Sequence, residues 1–393
     1  MKVLQITEYY PPADIGGAEI HVSHLVEGLR ARGSEVSVAS FSDVPGVIPF
    51  RSREREFRES YWNSIGRPEY MTSFRALGPV RSRSGVADVI TRESPDVVHI
   101  HNLHDYSSAR DAIRYARKAG SRIVWTVHDH WFVCPYSTLL TPGGVRCGER
   151  RCPGSCFDDR PLRHRLLARY ITGLARRLGG ADAVISPSEA TAGILRGAGL
   201  RPIVVPYGHP AAPFDSIPPV ESDRMNNILY AGALEPHKGI RDLLRAVKGM
   251  KNTRLRVVGS GTLGSRMRGR SGVELVSRVE YGEMVEHFRW AGIVAVPSIW
   301  PDNLPLTVME AMLSARVVAA SAVGGIPEMV AHNSTGMLFN PGDPGSMRMA
   351  LEDIIKRKDA PAMGLRARER ALRKYDMKTY LDRILEIYRG AGE

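Results

Sequence analysis

Cysteine is scarce in this 393-residue chain: four residues, Cys134, Cys147, Cys152 and Cys156, all inside one stretch. So small and local a set excludes a disulfide-dense secreted scaffold. Long apolar runs are also missing, with nothing near the ~18 residues that a spanning helix needs. The opening "MKVLQITEYYPP" has too few apolar residues for a signal-peptide core. A cytoplasmic protein is expected, soluble or resting on the inner face of the membrane. Low-complexity tracts are absent, and 43% hydrophobic with 24% charged residues argues against a disordered or fibrous chain. Acids are in deficit, 42 against 54 Lys and Arg, for a net charge of +12.

That excess favours anionic partners, whether nucleotide phosphates, anionic lipid or nucleic acid. It is spread over both halves but concentrates between Arg146 and Arg177, where nine arginines face three acids. Within it, "RPLRHRLLARYITGLARR" reads as an amphipathic helix with Leu162, Leu166, Leu167 and Ile171 on one side, suited to an anionic membrane surface or to a buried face with a basic exterior. Few aromatics interleave there and no nucleic-acid motif appears, so nucleic acid is the weakest of the three partners.

Short β-branched runs alternate with helical patterns: "KVLQIT", "EVSVAS", "DVVHIH", "RIVWTVH", "ADAVISPS" and "PIVVPYG", then, after a restart, "NNILYAG", "TRLRVVGSG", "VELVSR", "AGIVAVPS" and "RVVAASAVGG". Each run reads as apolar on both faces, as buried parallel strands require. The alternation predicts two doubly wound α/β domains. Residues 1–207 form the first and 208–376 the second, with a Pro-rich linker at 207–223. A last helix within 377–393 fits either domain, and 44–85 reads as an insertion.

In such sheets ligands bind beyond the carboxyl ends of the strands. Gly16 and Gly17 follow the first strand and open a helix, where backbone N–H groups can meet an anion; a plain turn explains the pair as well. His128 follows "RIVWTV", placed to bond a substrate hydroxyl. His99, His101 and His104 read as core or surface histidines, because no metal spacing accompanies them. In the second half Gly232 turns the chain after a strand, and Lys238 brings a positive charge to a helix start, suited to a diphosphate. The stretch "SIWPDNLPLTVMEAM" places Asp302 in a loop after a strand and Glu310 inside the following helix, each able to accept from vicinal sugar hydroxyls.

Taken together, "GGAE", "TVHDHWFVCP", "ISPS", "GALEPHKG", "VGSG", "PSIWPDNLPLTVMEAM" and "ASAVGGIPE" resemble the family 4 retaining glycosyltransferases, over nearly the whole chain. The most specific element is the family's acid, seven residues, acid signature, from Asp302 to Glu310. The resemblance implies a GT-B fold, two Rossmann-like domains facing each other across a cleft. The first would bind the acceptor, and the second a UDP- or GDP-sugar. It further implies that Glu310 binds the ribose and that Asp302, with Asn303 and Leu304, contacts the donor sugar. Lys238 would hold the diphosphate, with Gly16 and Gly17 closing over it, while Arg278 and Val279 cradle the base. His128 would lie near the reacting centre. Transfer to a glycan or lipid-linked acceptor in cell-surface polysaccharide or glycoconjugate synthesis follows, with no cofactor required for catalysis. A nucleotide-sugar epimerase or hydrolase on the same fold is the rival enzyme, and a basic nucleic-acid-binding protein the remote one. The family often has an arginine after the strand glycine, where this chain has Ala233, so His237 or Arg241 is expected to stand in.

The four cysteines suit tetrahedral structural zinc, with unligated thiols the alternative and an iron–sulfur cluster behind both.

Overall fold

The computed structural model describes residues 1–12, 16–52, 84–134, 136–141, 143–147, 179–267 and 272–390. Two all-parallel sheets form, one in each of two compact units, Met1–Tyr207 with Lys378–Glu393, and Gly208–Met377. The first sheet holds β1 (Lys2–Ile6), β2 (Glu35–Ser40), β3 (Ile48–Pro49), β4 (Val97–Ile100), β5 (Arg122–Thr126), β6 (Ala183–Ser186) and β7 (Pro202–Val204). Its order is β3-β2-β1-β4-β5-β6-β7. Helices α1 (Gly17–Ala31), α2 (Val86–Glu93), α3 (Tyr106–Ala119) and α4 (Glu189–Gly197) lie between strands in the chain. Helix α1 buries Val22, Leu25, Val26 and Leu29, the i, i+3, i+4, i+7 stripe of a helix lying on a sheet. Helix α3 starts where the Asp105 carboxylate accepts the Ser108 N–H and stops at Gly120 in the left-handed region.

Alternation along the strands divides this sheet chemically. Leu4, Ile6, Val98, Ile100, Ile123 and Trp125 join one apolar core with Val86, Ile90, Ala109 and Ala112. The intervening positions Gln5, His99 and Thr126 are equally buried. The sequence pattern was expected to be apolar on both faces, and here it departs in part: the second face buries Val3, Val97 and Val124 but is polar at Gln5, His99 and Thr126.

The second sheet holds β8 (Asn227–Ala231), β9 (Arg254–Val258), β10 (Val273–Val276), β11 (Ile293–Val296), β12 (Val317–Ser321) and β13 (Gly336–Phe339), in the order β10-β9-β8-β11-β12-β13. Around it lie α5 (Ala212–Asp215), α6 (Ile240–Ala246), α7 (Met284–Trp290), α8 (Leu306–Leu313), α9 (Ile326–Met329), α10 (Pro344–Lys356) and α11 (Ala360–Lys374). Its core joins Ile228, Tyr230, Leu255, Val257, Ile293 and Val317 to Ile240 and Leu243 of α6 and to Leu351 and Ile354 of α10. The stretch 207–223, expected as a linker, is instead packed. It forms α5, and Phe214, Ile217 and Val220 are buried, Phe214 edge-on to Phe288 at 5.9 Å. Apolar residues spaced through a proline-rich segment anchor it despite its composition.

Helix α12 (Met377–Tyr388) closes the chain, and from Lys378 onward it belongs to the first unit. It buries Leu381, Ile384 and Ile387, and its Tyr388 hydroxyl reaches the polar face of the first sheet. Most of the expected insertion, residues 53–83, and the basic stretch Arg160–Arg177 lie outside the described residues. Among those described, no helix is long and apolar enough to cross a membrane. In both sheets the strand order reverses beside the first strand of the unit, between β1 and β4 and between β8 and β11. Such points open a crevice at the carboxyl ends of the strands.

Candidate functional site

Within the second unit, the loops after β8 and β11 meet at the reversal point. Gly232 and Gly259 leave adjacent strands in close contact: a Cβ on Gly259 would lie 2.0 Å from the Gly232 carbonyl oxygen. Lys238 ends a 3-10 turn, Pro236–Lys238, followed by Gly239 at φ 72°. A side chain on Gly239 would strike the Pro297 carbonyl at 1.8 Å, so the chain bearing Lys238 lies directly against the end of β11.

The Lys238 ammonium donates to Asp302 Oδ2 at 2.7 Å and lies 4.7 Å over the Trp300 ring. Ser298 Oγ donates to the same carboxylate oxygen at 3.0 Å. Burial alone would raise the Asp302 pKa, but Lys238 and the Ser298 bond outweigh it and hold the carboxyl below its usual range. The loop is fixed from behind, with the Gly325 N–H donating to the Asp302 carbonyl at 2.8 Å. Asn303 and Leu304 beside it are buried, whereas Arg278 is exposed and Val279 half-buried in the segment after β10.

Helix α8 is buried on nearly every side, and Glu310 is its one charged residue. A carboxylate in so apolar a helix needs a partner. Tyr281 supplies one, its hydroxyl bonding Glu310 and lying 3.0 Å from His209 Nε2. Burial first, and then Glu310, push the Tyr281 pKa up. His209 Nε2 is 3.6 Å from Glu310 Oε1. Pro305 stands at the N-cap of α8. His237 does not replace the missing arginine charge at Ala233. It lies edge-on to Trp300, and burial holds its pKa down to about 3, so it is neutral.

In the first unit, His128 follows β5 and is buried, with both ring nitrogens engaged. Nδ1 is 2.6 Å from the Tyr207 hydroxyl, and Nε2 is 2.9 Å from His101 Nδ1. Burial holds its pKa down to about 3, so the ring is neutral near pH 7. His99 and His101 prove to be core histidines inside a hydrogen-bonded network, and no metal-holding group occurs among the described residues.

Sequence reasoning missed a second cluster at the same edge. His104 Nδ1 lies 2.9 Å from Glu8 Oε2, and its Nε2 bonds Asp129 Oδ2. Burial would lower the His104 pKa, but Glu8 and Asp129 lift it to about 9, so the ring is an imidazolium between two carboxylates. Glu8, His104 and Asp129 stand just past the ends of β1, β4 and β5, and no spacing in the sequence joins them.

At Gly16 the helix start is closed by its own chain, its N–H donating to Glu19 Oε2 at 2.8 Å. An anion bonding this N–H would have to displace that carboxylate, while Gly17 begins α1 itself. Of the expected zinc ligands, Cys134 is buried and Cys147 half-buried, while Cys152 and Cys156 lie outside the described residues.

Comparison with known proteins places this geometry in context. A family model described as "Glycosyltransferase Family 4" matches residues 15–209, and one described as "Glycosyl transferases group 1" matches residues 225–357. Glycogen synthase of Mycobacterium tuberculosis is 25% identical over 427 aligned positions, covering 100% of this chain and 95% of the relative. Phosphatidyl-myo-inositol mannosyltransferase of Mycobacterium leprae is 24% identical, covering 95% of this chain and 92% of the relative. Among solved structures, Anabaena HepE in complex with UDP-glucose superposes with a TM-score of 0.71 at 18% identity, covering 99% of this chain and 100% of that one. The likeness covers both units and agrees with the two parallel sheets as a GT-B fold.

Proposed function

The chain belongs to the family 4 glycosyltransferases, and from that premise we propose that it moves a sugar from a nucleoside-diphosphate sugar to a glycan or lipid-linked acceptor, with retention at the anomeric carbon, in the making of cell-surface polysaccharide or glycoconjugate. The observation that carries the reading is in the second unit: a lysine and a buried carboxylate in contact, with a second buried carboxylate on the next helix already bonded by a hydroxyl. In this reading the second unit binds the donor and the first the acceptor. Glu310 exchanges the Tyr281 hydroxyl for those of the ribose. Asp302, with Asn303 and Leu304, holds hydroxyls of the donor sugar. Gly232 lets the chain approach the diphosphate, and Arg278 and Val279 flank the base. The UDP-glucose held by Anabaena HepE makes a uridine nucleotide the first donor to test.

The leaving diphosphate oxygen takes the acceptor hydroxyl's proton as its own bond to the anomeric carbon breaks and the new glycosidic bond forms on the same face. The protein positions the partners and neutralises the leaving group. Lys238 does the second, an interaction worth about 4 kcal/mol at 4 Å and an effective dielectric near 20. In the first unit the residues proposed to meet substrate are Gly17, Gly16 once Glu19 has moved, and the neutral His128, whose Nδ1 would exchange the Tyr207 hydroxyl for one of the substrate.

Glu310→Ala tests the reading. Loss of two charge-assisted hydrogen bonds should cut transfer from a nucleotide sugar by at least about a hundredfold, with the fold intact by circular dichroism. Full activity in this variant rejects the assignment. Cys134, Cys147, Cys152 and Cys156 are proposed as a structural zinc site, independent of the chemistry. Purified protein should carry close to one zinc per chain, and less than about half an equivalent rejects the site.

A further inference from the structure

The buried polar face of the first sheet carries a continuous chain of hydrogen bonds whose direction follows from one amide. Gln5, on β1 and fully buried, donates from Nε2 to the Tyr388 hydroxyl at 3.0 Å. The single Tyr388 proton then goes to His99 Nδ1 at 2.7 Å, and His99 donates from Nε2 to Thr126 Oγ1 at 2.8 Å. On its other side Gln5 Oε1 can only accept, so His101 carries its proton on Nε2, 2.7 Å away. Burial keeps His101 neutral, which makes its Nδ1 the acceptor for His128 Nε2–H at 2.9 Å. His128 Nδ1 is thereby left as a lone pair, met by the Tyr207 hydroxyl at 2.6 Å. Turning the amide over would reverse every bond in the chain and place the proton on His128 Nδ1.

We propose that Gln5 is a positioning residue: acting through His101, it fixes His128 as the Nε2–H tautomer, so that Nδ1 accepts a hydrogen bond from a substrate hydroxyl and does not donate one. The tautomer follows from the geometry, and its use in transfer rests on the reading of His128 given above. Two histidines, His101 and His128, separate Gln5 from the substrate, so it touches neither donor nor acceptor in this scheme.

The test uses the full chain with isotope-labelled histidine rings, read by two-bond proton–nitrogen correlation, with the His128 signals assigned by their loss in His128→Ala. The wild type should show Nε2 protonated and Nδ1 bare. Gln5→Met removes the ordering amide, and Tyr388→Phe leaves that amide free to turn without touching His128. Each should yield a mixture of His128 tautomers and lower kcat/KM about tenfold, the scale of one buried hydrogen bond. A simple packing role for Tyr388 would leave the His128 tautomer unmoved. A wild-type proton on Nδ1, or an unchanged tautomer in both variants, overturns the proposal. Full transfer by His128→Ala would instead reject the role given to His128 and leave the tautomer result standing.

Discussion

His104 ties part of the fold's stability to pH. Its folded pKa of about 9 lies above the ordinary 6.5, because the Glu8 and Asp129 carboxylates outweigh the burial that would lower it. The stability it contributes is therefore fully present below pH 6.5 and is lost as pH rises toward 9. The displacement corresponds to roughly 3 kcal/mol. The urea midpoint should fall across that window, and His104→Gln should flatten the profile; a flat wild-type profile would contradict the assignment. The cluster was invisible in the sequence because Glu8 and Asp129 lie 96 and 25 positions from His104 and meet it only through three strand ends. Glu310 was legible for the opposite reason. A strand, a short loop and a helix place it locally, and a lone acid in "LTVMEAML" stands out in any apolar run.

At the scale of elements, the turn that carries Lys238 is the tightest constraint in the second unit. Gly239→Ala meets both a positive φ and a carbonyl oxygen at 1.8 Å, so the loop must shift. Gly249, at φ 79° with nothing within 4 Å, provides the control, since an alanine there meets only the left-handed penalty of about 1–2 kcal/mol. Gly239→Ala should lower the thermal midpoint further than Gly249→Ala and abolish the shift produced by a nucleotide sugar, whereas Gly249→Ala should keep that shift. Equal behaviour of the two variants would show that the contact with Pro297 does not hold the turn. Most strands could be read from β-branched runs, but β3 and β13 could not. The first is two residues ending in proline, and the second, "GMLF", has no β-branched residue; each forms because a neighbouring strand edge is available to pair with it.

For the whole molecule, the return of the last helix matters most. Its amphipathic pattern shows that one face is buried and cannot show against what, which is why the sequence left both domains open. In the structure α12 lays Leu381, Ile384, Leu385 and Ile387 into the first unit, and Tyr380 bonds His21 at 2.9 Å. At about 1.5–3 kcal/mol for each buried aliphatic side chain, the helix contributes on the order of a domain's entire net stability. A chain ending at Met377 should lose the cooperative unfolding of the first unit, followed by circular dichroism and proteolysis. An unchanged transition would mean that the helix is an ornament.

The bond between Gln5 and Tyr388 joins residues 383 positions apart in the sequence. An amide and a phenol that share one proton order do not vary independently. Once either is replaced, replacing the other should do little further harm, so the pair is expected to be inherited or lost together among descendants of this sequence.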